Sequence, residues 1–75
     1  MNISDTMIHI VEPLSAEARA SLEDALRGIE GVIAPRFGAG TDHLLLVAFD
    51  TDRTHPADLL ATVRQTCDQA QLVGL

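Results

Sequence analysis

Within residues 7–32 (MIHIVEPLSAEARASLEDALRGIEGV) the spacing of apolar side chains changes from two to between three and four, which marks a strand running directly into a helix. Residues 7–11 are apolar and β-prone, with Ile8 and Ile10 on one side of a pleated strand and Met7, His9 and Val11 on the other. Pro13 ends the strand. From Ser15 onward Ala18, Leu22, Ala25, Leu26 and Ile29 recur at helical spacing. Ser15 suits the helix N-cap, where its hydroxyl accepts from a free amide of the first turn. Glu17 sets a carboxylate at the positive end of the helix dipole. Glu23 and Arg27, four apart, are placed to pair on the solvent side. Gly28 or Gly31 closes the helix, since glycine accepts the left-handed backbone that a helix exit often needs.

The remainder of the chain repeats this alternation of elements. Residues 32–37 form a second strand, and Pro35, which has no amide proton to donate, assigns it to a sheet edge or a bulge. Residues 38–42 (GAGTD) read as a flexible hairpin loop, residues 44–49 as a third strand, and residues 50–52 as a turn out of it. A second helix begins at Thr54 or His55 with Pro56 at its first position, and Leu59, Leu60, Val63 and Cys67 make its apolar stripe. Residues 71–75 suit a short last strand, while residues 1–5 are polar and read as loose. The order strand-helix-strand-strand-helix-strand predicts an α+β, ferredoxin-like βαββαβ sandwich. In it a four-stranded antiparallel sheet carries two helices on one face, with the first and third strands central. Residues 1–75 then form a single domain, small enough that its buried core is limited.

Composition excludes several functions. Eleven acids against five bases leave a net charge of −6, the wrong sign for a surface that displaces phosphate counterions, so no nucleic-acid partner is expected. The longest apolar run, residues 44–49, is far too short to cross a bilayer, so no membrane insertion is expected. The N-terminus lacks the basic and apolar segments of a signal peptide, and a single cysteine excludes an internal disulfide. Both observations predict a cytoplasmic location. No glycine loop is followed by the helix and lysine that cradle a phosphate, and Ser15, Ser21 and Cys67 have no local nucleophile signature around them. Asp50 and Asp52 stand where a turn favours aspartate. The chain is therefore expected not to be an enzyme and to need no cofactor.

One pattern points to association. If Leu45, Val47 and Phe49 face the helices, then Leu44, Leu46 and Ala48 face outward beside Met7, His9 and Val11 of the first strand. Six neighbouring positions of this kind on the uncovered side of a sheet predict an interaction face. Its partner is another protein or a second copy of the chain, because two-fold pairing is the commonest assembly.

Strand, short loop, helix and a Gly31-Val32 opening to the next strand resemble the heavy-metal-associated domain of copper chaperones and metal-pumping ATPases. Residues 45–50 (LLVAFD) resemble that family's third strand and residues 54–63 its second helix, so the likeness runs over roughly residues 7–73. In the family a Cys-x-x-Cys pair holds the metal at the loop-helix junction. Counting back from Gly31-Val32 puts Ser15 and Ala18 at those two positions, with Pro13 where the family usually has methionine and Glu12 where it usually has glycine. The resemblance thus implies the scaffold without its thiolates, and soft ions such as Cu(I) favour thiolates. The remaining donors are His9, His43, His55, Cys67 and two methionines. His55 suits a helix start, His43 a strand start, and Cys67 a small buried apolar residue. His9, projecting from a central strand, is the best candidate ligand, either with Cys67 or with its own copy across a dimer. The expected function is a non-enzymatic interaction or regulatory module, with metal handling through unusual ligands as the alternative. A small-molecule-binding regulatory domain of the same topology is a further alternative.

Overall fold

The computed structural model describes residues 2–38, 41–67 and 69–73, with only the backbone of residues 41 and 42. Six elements follow in the expected order: β1 (Ile3–Ile10), α1 (Ala16–Arg27), β2 (Val32–Gly38), β3 (Thr41–Asp50), α2 (Pro56–Arg64) and β4 (Ala70–Leu72). The four strands make one antiparallel sheet in the order β2-β3-β1-β4. β1 and β3 are central and β2 is an edge, as Pro35 requires. No helix among the described residues is long and apolar enough to cross a membrane.

The core lies between the helices and one sheet face. Ile8 and Ile10 of β1, Leu45, Val47 and Phe49 of β3, Leu22 and Leu26 of α1, and Leu59 and Val63 of α2 are all buried there. The alternation read from residues 7–11 and 44–49 therefore sorts the side chains correctly: even positions of β1 and odd positions of β3 face the helices. Phe49 joins the cluster and Phe37 packs against it, so aliphatic residues fill most of this space.

Several boundaries differ from expectation. Residues 3–5 are not loose, because Ile3, Ser4 and Asp5 pair with Asp50, Phe49 and Ala48. β3 is ten residues long, and its far half needs a backbone partner that residues 3–6 supply. Asn2 extends the attachment: its carbonyl accepts the Thr51 amide at 2.8 Å. At the hairpin, β2 runs to Gly38 and β3 starts at Thr41, so the expected five-residue loop shrinks. Ala39 and Gly40, which complete that expected loop, lie outside the described residues. α2 ends at Arg64, so Cys67 follows the helix instead of sitting on its stripe. The Cys67 amide still donates to the Val63 carbonyl at 2.8 Å, which turns the side chain into the core. β4 starts one residue early, at Ala70, and residues 74 and 75 of the expected last strand lie outside the described residues.

One local contact differs from what the spacing predicts. Arg27 pairs with Asp24 at 3.0 Å, not with Glu23. Glu23 turns toward β2, where its Oε2 accepts the Phe37 amide at 3.2 Å, an edge-strand donor with no further strand to pair with. Of the two candidate closing glycines, Gly28 caps α1 with an ordinary φ of −74°. Gly31 has a φ of +96°, and a Cβ there would lie 2.8 Å from the Cβ of Arg53. Of these two, only Gly31 needs to be glycine. Its carbonyl accepts the Asp50 amide at 2.7 Å, joining the entrance of β2 to the end of β3.

Candidate functional site

Several polar groups of the loop-helix junction have partners within the chain. Ser15 is extended (φ −68°, ψ 163°) and its Oγ accepts the Ala18 amide at 3.1 Å, the bond expected of an N-cap. The Leu14 carbonyl accepts from Arg19 Nη1 at 2.7 Å. Glu12 Oε1 accepts the Gln69 amide at 3.1 Å, and the Val11 amide donates to the Gln69 carbonyl at 3.0 Å. The entry to α1 is thus tied to its own first turn and to the approach to β4. The junction offers a hydroxyl at Ser15 and a methyl group at Ala18, neither of which is a soft-metal ligand.

The other candidate ligands are dispersed. Cys67 is fully buried in the core, on the helix side of the sheet. His9 alternates with the core residues Ile8 and Ile10 and so projects from the opposite face. The expected pairing of His9 with Cys67 is therefore wrong: the sheet separates them. His55 is the exposed N-cap of α2 and makes no side-chain capping bond. His43 comes nearer than the sequence suggests, with its ring centroid 6.4 Å from that of His9 and tilted by 54°. Its Nδ1 lies 2.8 Å from the Ile10 carbonyl. A carbonyl only accepts, so Nδ1 carries the proton and Nε2 is left as the ring's other nitrogen. Among the described residues, no three side chains of His, Cys, Asp or Glu form a group able to hold a metal ion.

Asp50 and Asp52 have structural roles. Asp50 is 6% exposed, and its Oδ1 accepts the Asp52 amide at 3.0 Å, closing the turn after β3. Its Oδ2 lies 3.8 Å from Arg53 Nε. Asp52 instead takes the Asn2 side-chain amide at 3.3 Å.

The uncovered sheet face is the remaining candidate. Met7 and His9 of β1 and Leu44, Leu46 and Ala48 of β3 all lie on it, half-buried by their neighbours. Val11 is 49% exposed but lies just past the end of β1. The register adds residues that the apolar pattern missed. Ile3, 50% exposed, and Asp5 share the face on β1, and Ala34 and Arg36 share it on β2. Asp5, Ala34, Arg36, Leu46 and Ala48 line a shallow depression of about 280 Å³. A period-two reading around Pro35 and through residues 3–6 would have found both charged members.

No family model matches the sequence, and no curated protein matches it. Solved structures match over nearly the whole chain. Oxidized MerP from Ralstonia metallidurans CH34 is 13% identical with a TM-score of 0.80, over 97% of this chain and 100% of that one. A copper binding domain from HMA7, a P-type ATPase, is 17% identical with a TM-score of 0.79, over 93% of each chain. A CopZ metallochaperone is 14% identical with a TM-score of 0.77, over 93% of this chain and 100% of that one. The chain therefore shares the ferredoxin-like fold of these structures, and its loop-helix junction carries no cysteine.

Proposed function

We propose that this chain is a non-enzymatic module of the heavy-metal-associated type that has lost the thiolate site and acts by docking a protein on the open face of its sheet. The observation that carries this reading is the 3.1 Å bond from the Ala18 amide to Ser15 Oγ. Both residues that would hold a metal are engaged in starting α1, and a sequence with one cysteine cannot supply a thiolate pair elsewhere. The face formed by Met7, His9, Leu44, Leu46 and Ala48, with Val11 at its end, supplies the apolar surface that such a module needs. A cytoplasmic setting suits the reduced, buried Cys67. Sedimentation of the wild type against Leu46→Glu, with both shown folded by circular dichroism, tests the reading. Association or partner recovery lost in the variant supports it, and identical behaviour overturns it.

The proximity of His9 and His43 favours a second reading, in which two imidazoles bind a borderline ion such as Zn(II) or Ni(II). Calorimetric titration with Zn(II), Ni(II) and Cu(I) separates the readings. Binding tighter than micromolar that His9→Ala abolishes would assign the chain to metal handling.

A further inference from the structure

The five arginines are unequally engaged. Arg19 donates to the Leu14 carbonyl and Arg64 to the Ala70 carbonyl. Arg27 pairs with Asp24, and Arg53 with Glu30 and Asp50. Arg36 is the exception, since the described residues give its guanidinium neither a hydrogen bond nor an ion pair. It stands on the open sheet face of a chain whose net charge is −6. Asp5, across β3 from it, is likewise without a side-chain partner among the described residues.

The register fixes how the two are placed. Asp5 pairs with Ala48 and Arg36 with Leu46, so they flank β3 on opposite sides, two residues apart along it. With strands roughly 4.8 Å apart, their backbones are separated by about 10 Å or more. Both line the same depression, over an apolar floor of Ala34, Leu46 and Ala48, without meeting. Any two points on a flat face are exchanged by a two-fold axis lying midway between them. A face with one acid and one base across an apolar floor is therefore complementary to itself.

We propose that the occupant of this face is a second copy of the chain, docked face to face about a two-fold axis so that Asp5 of each copy meets Arg36 of the other. This rests on the reading of the open face as a docking surface and adds the partner's identity. A standard interface covers roughly 800 Å² of each partner. That is less than a fifth of this chain's 4526 Å², an area compatible with one sheet face. The reciprocal charge pairs also set the orientation, because any other alignment of the two faces leaves a buried charge unpaired.

The test uses two single charge reversals, Asp5→Arg and Arg36→Asp, studied alone and mixed. The wild type is expected to be dimeric by sedimentation at micromolar concentration. Each variant alone places like charges across the interface and should dissociate roughly a hundredfold more readily. An equimolar mixture should recover the dimer as a heterodimer, because one variant then carries two bases and the other two acids. Native mass spectrometry identifies that species by its mass. A mixture that stays monomeric while both variants melt like the wild type overturns the proposal, as does a wild type that is monomeric at millimolar concentration. If a different protein binds and Leu46→Glu releases it, while the mixture stays monomeric, the second-copy assignment falls and the docking reading stands. If Leu46→Glu affects neither association, the docking reading itself falls.

Discussion

The loop-helix junction and the open sheet face differ in how far the chain satisfies its own groups. At the junction Ser15 caps α1, Arg19 holds the Leu14 carbonyl, and Glu12 holds the Gln69 amide. On the sheet face Asp5 and Arg36 make no side-chain bond among the described residues, and Leu44, Leu46 and Met7 are only half-buried. A region whose polar groups are all engaged within the molecule is part of its architecture. A region that leaves opposite charges unpaired around apolar side chains is the basis for the proposed docking face. The fold is shared with the solved structures, whereas the unpaired charges on the sheet face belong to this chain's own sequence.

Four substitutions sharpen or break that contrast. The largest effect is expected from Leu46→Glu, which should abolish association while leaving the melting temperature nearly unchanged, read by sedimentation and thermal melting together. Leu45→Ala, at the adjacent position but on the core side and fully buried, should do the reverse. It should cost about 2–5 kcal/mol in urea unfolding while a folded fraction still associates. If the two neighbours gave the same phenotype, the assignment of sheet faces would be wrong. Ser15→Ala removes the cap and should cost about 1 kcal/mol with association unchanged, again by urea unfolding. Loss of association in that variant would return the functional surface to the junction. Arg27→Ala breaks an exposed contact with Asp24 and should shift stability by only a few tenths of a kcal/mol. A larger shift would show that the solvent face of α1 takes part in more than this one pair.

Much of the fold was readable because its signals are local. Ser15 marks a helix start through its own hydroxyl, Pro56 through its missing amide proton, and Pro35 marks an edge because it cannot donate to a ladder. The alternation in residues 44–49 assigned core and open faces because a strand's side chains change sides at every residue. What escaped depends on pairing between distant segments. Residues 3–5 read as loose because their face is open and polar residues are tolerated there, and only the length of β3 shows that they are a strand. Glu23 had two acceptable partners, Arg27 and the Phe37 amide, and tertiary packing chose the second. Asp5 and Arg36 lie 31 positions apart in the sequence, and nothing in either neighbourhood says that β3 brings them to one depression. The separation of His9 from Cys67 likewise follows from which side of the sheet the helices cover.

Native mass spectrometry of protein purified without chelator, at micromolar concentration, addresses the central claim most directly, because it reads assembly and bound metal in one spectrum. The account predicts a metal-free dimer that Leu46→Glu converts to a metal-free monomer. A monomer carrying one stoichiometric metal ion would contradict it and make the histidines the functional groups of this chain.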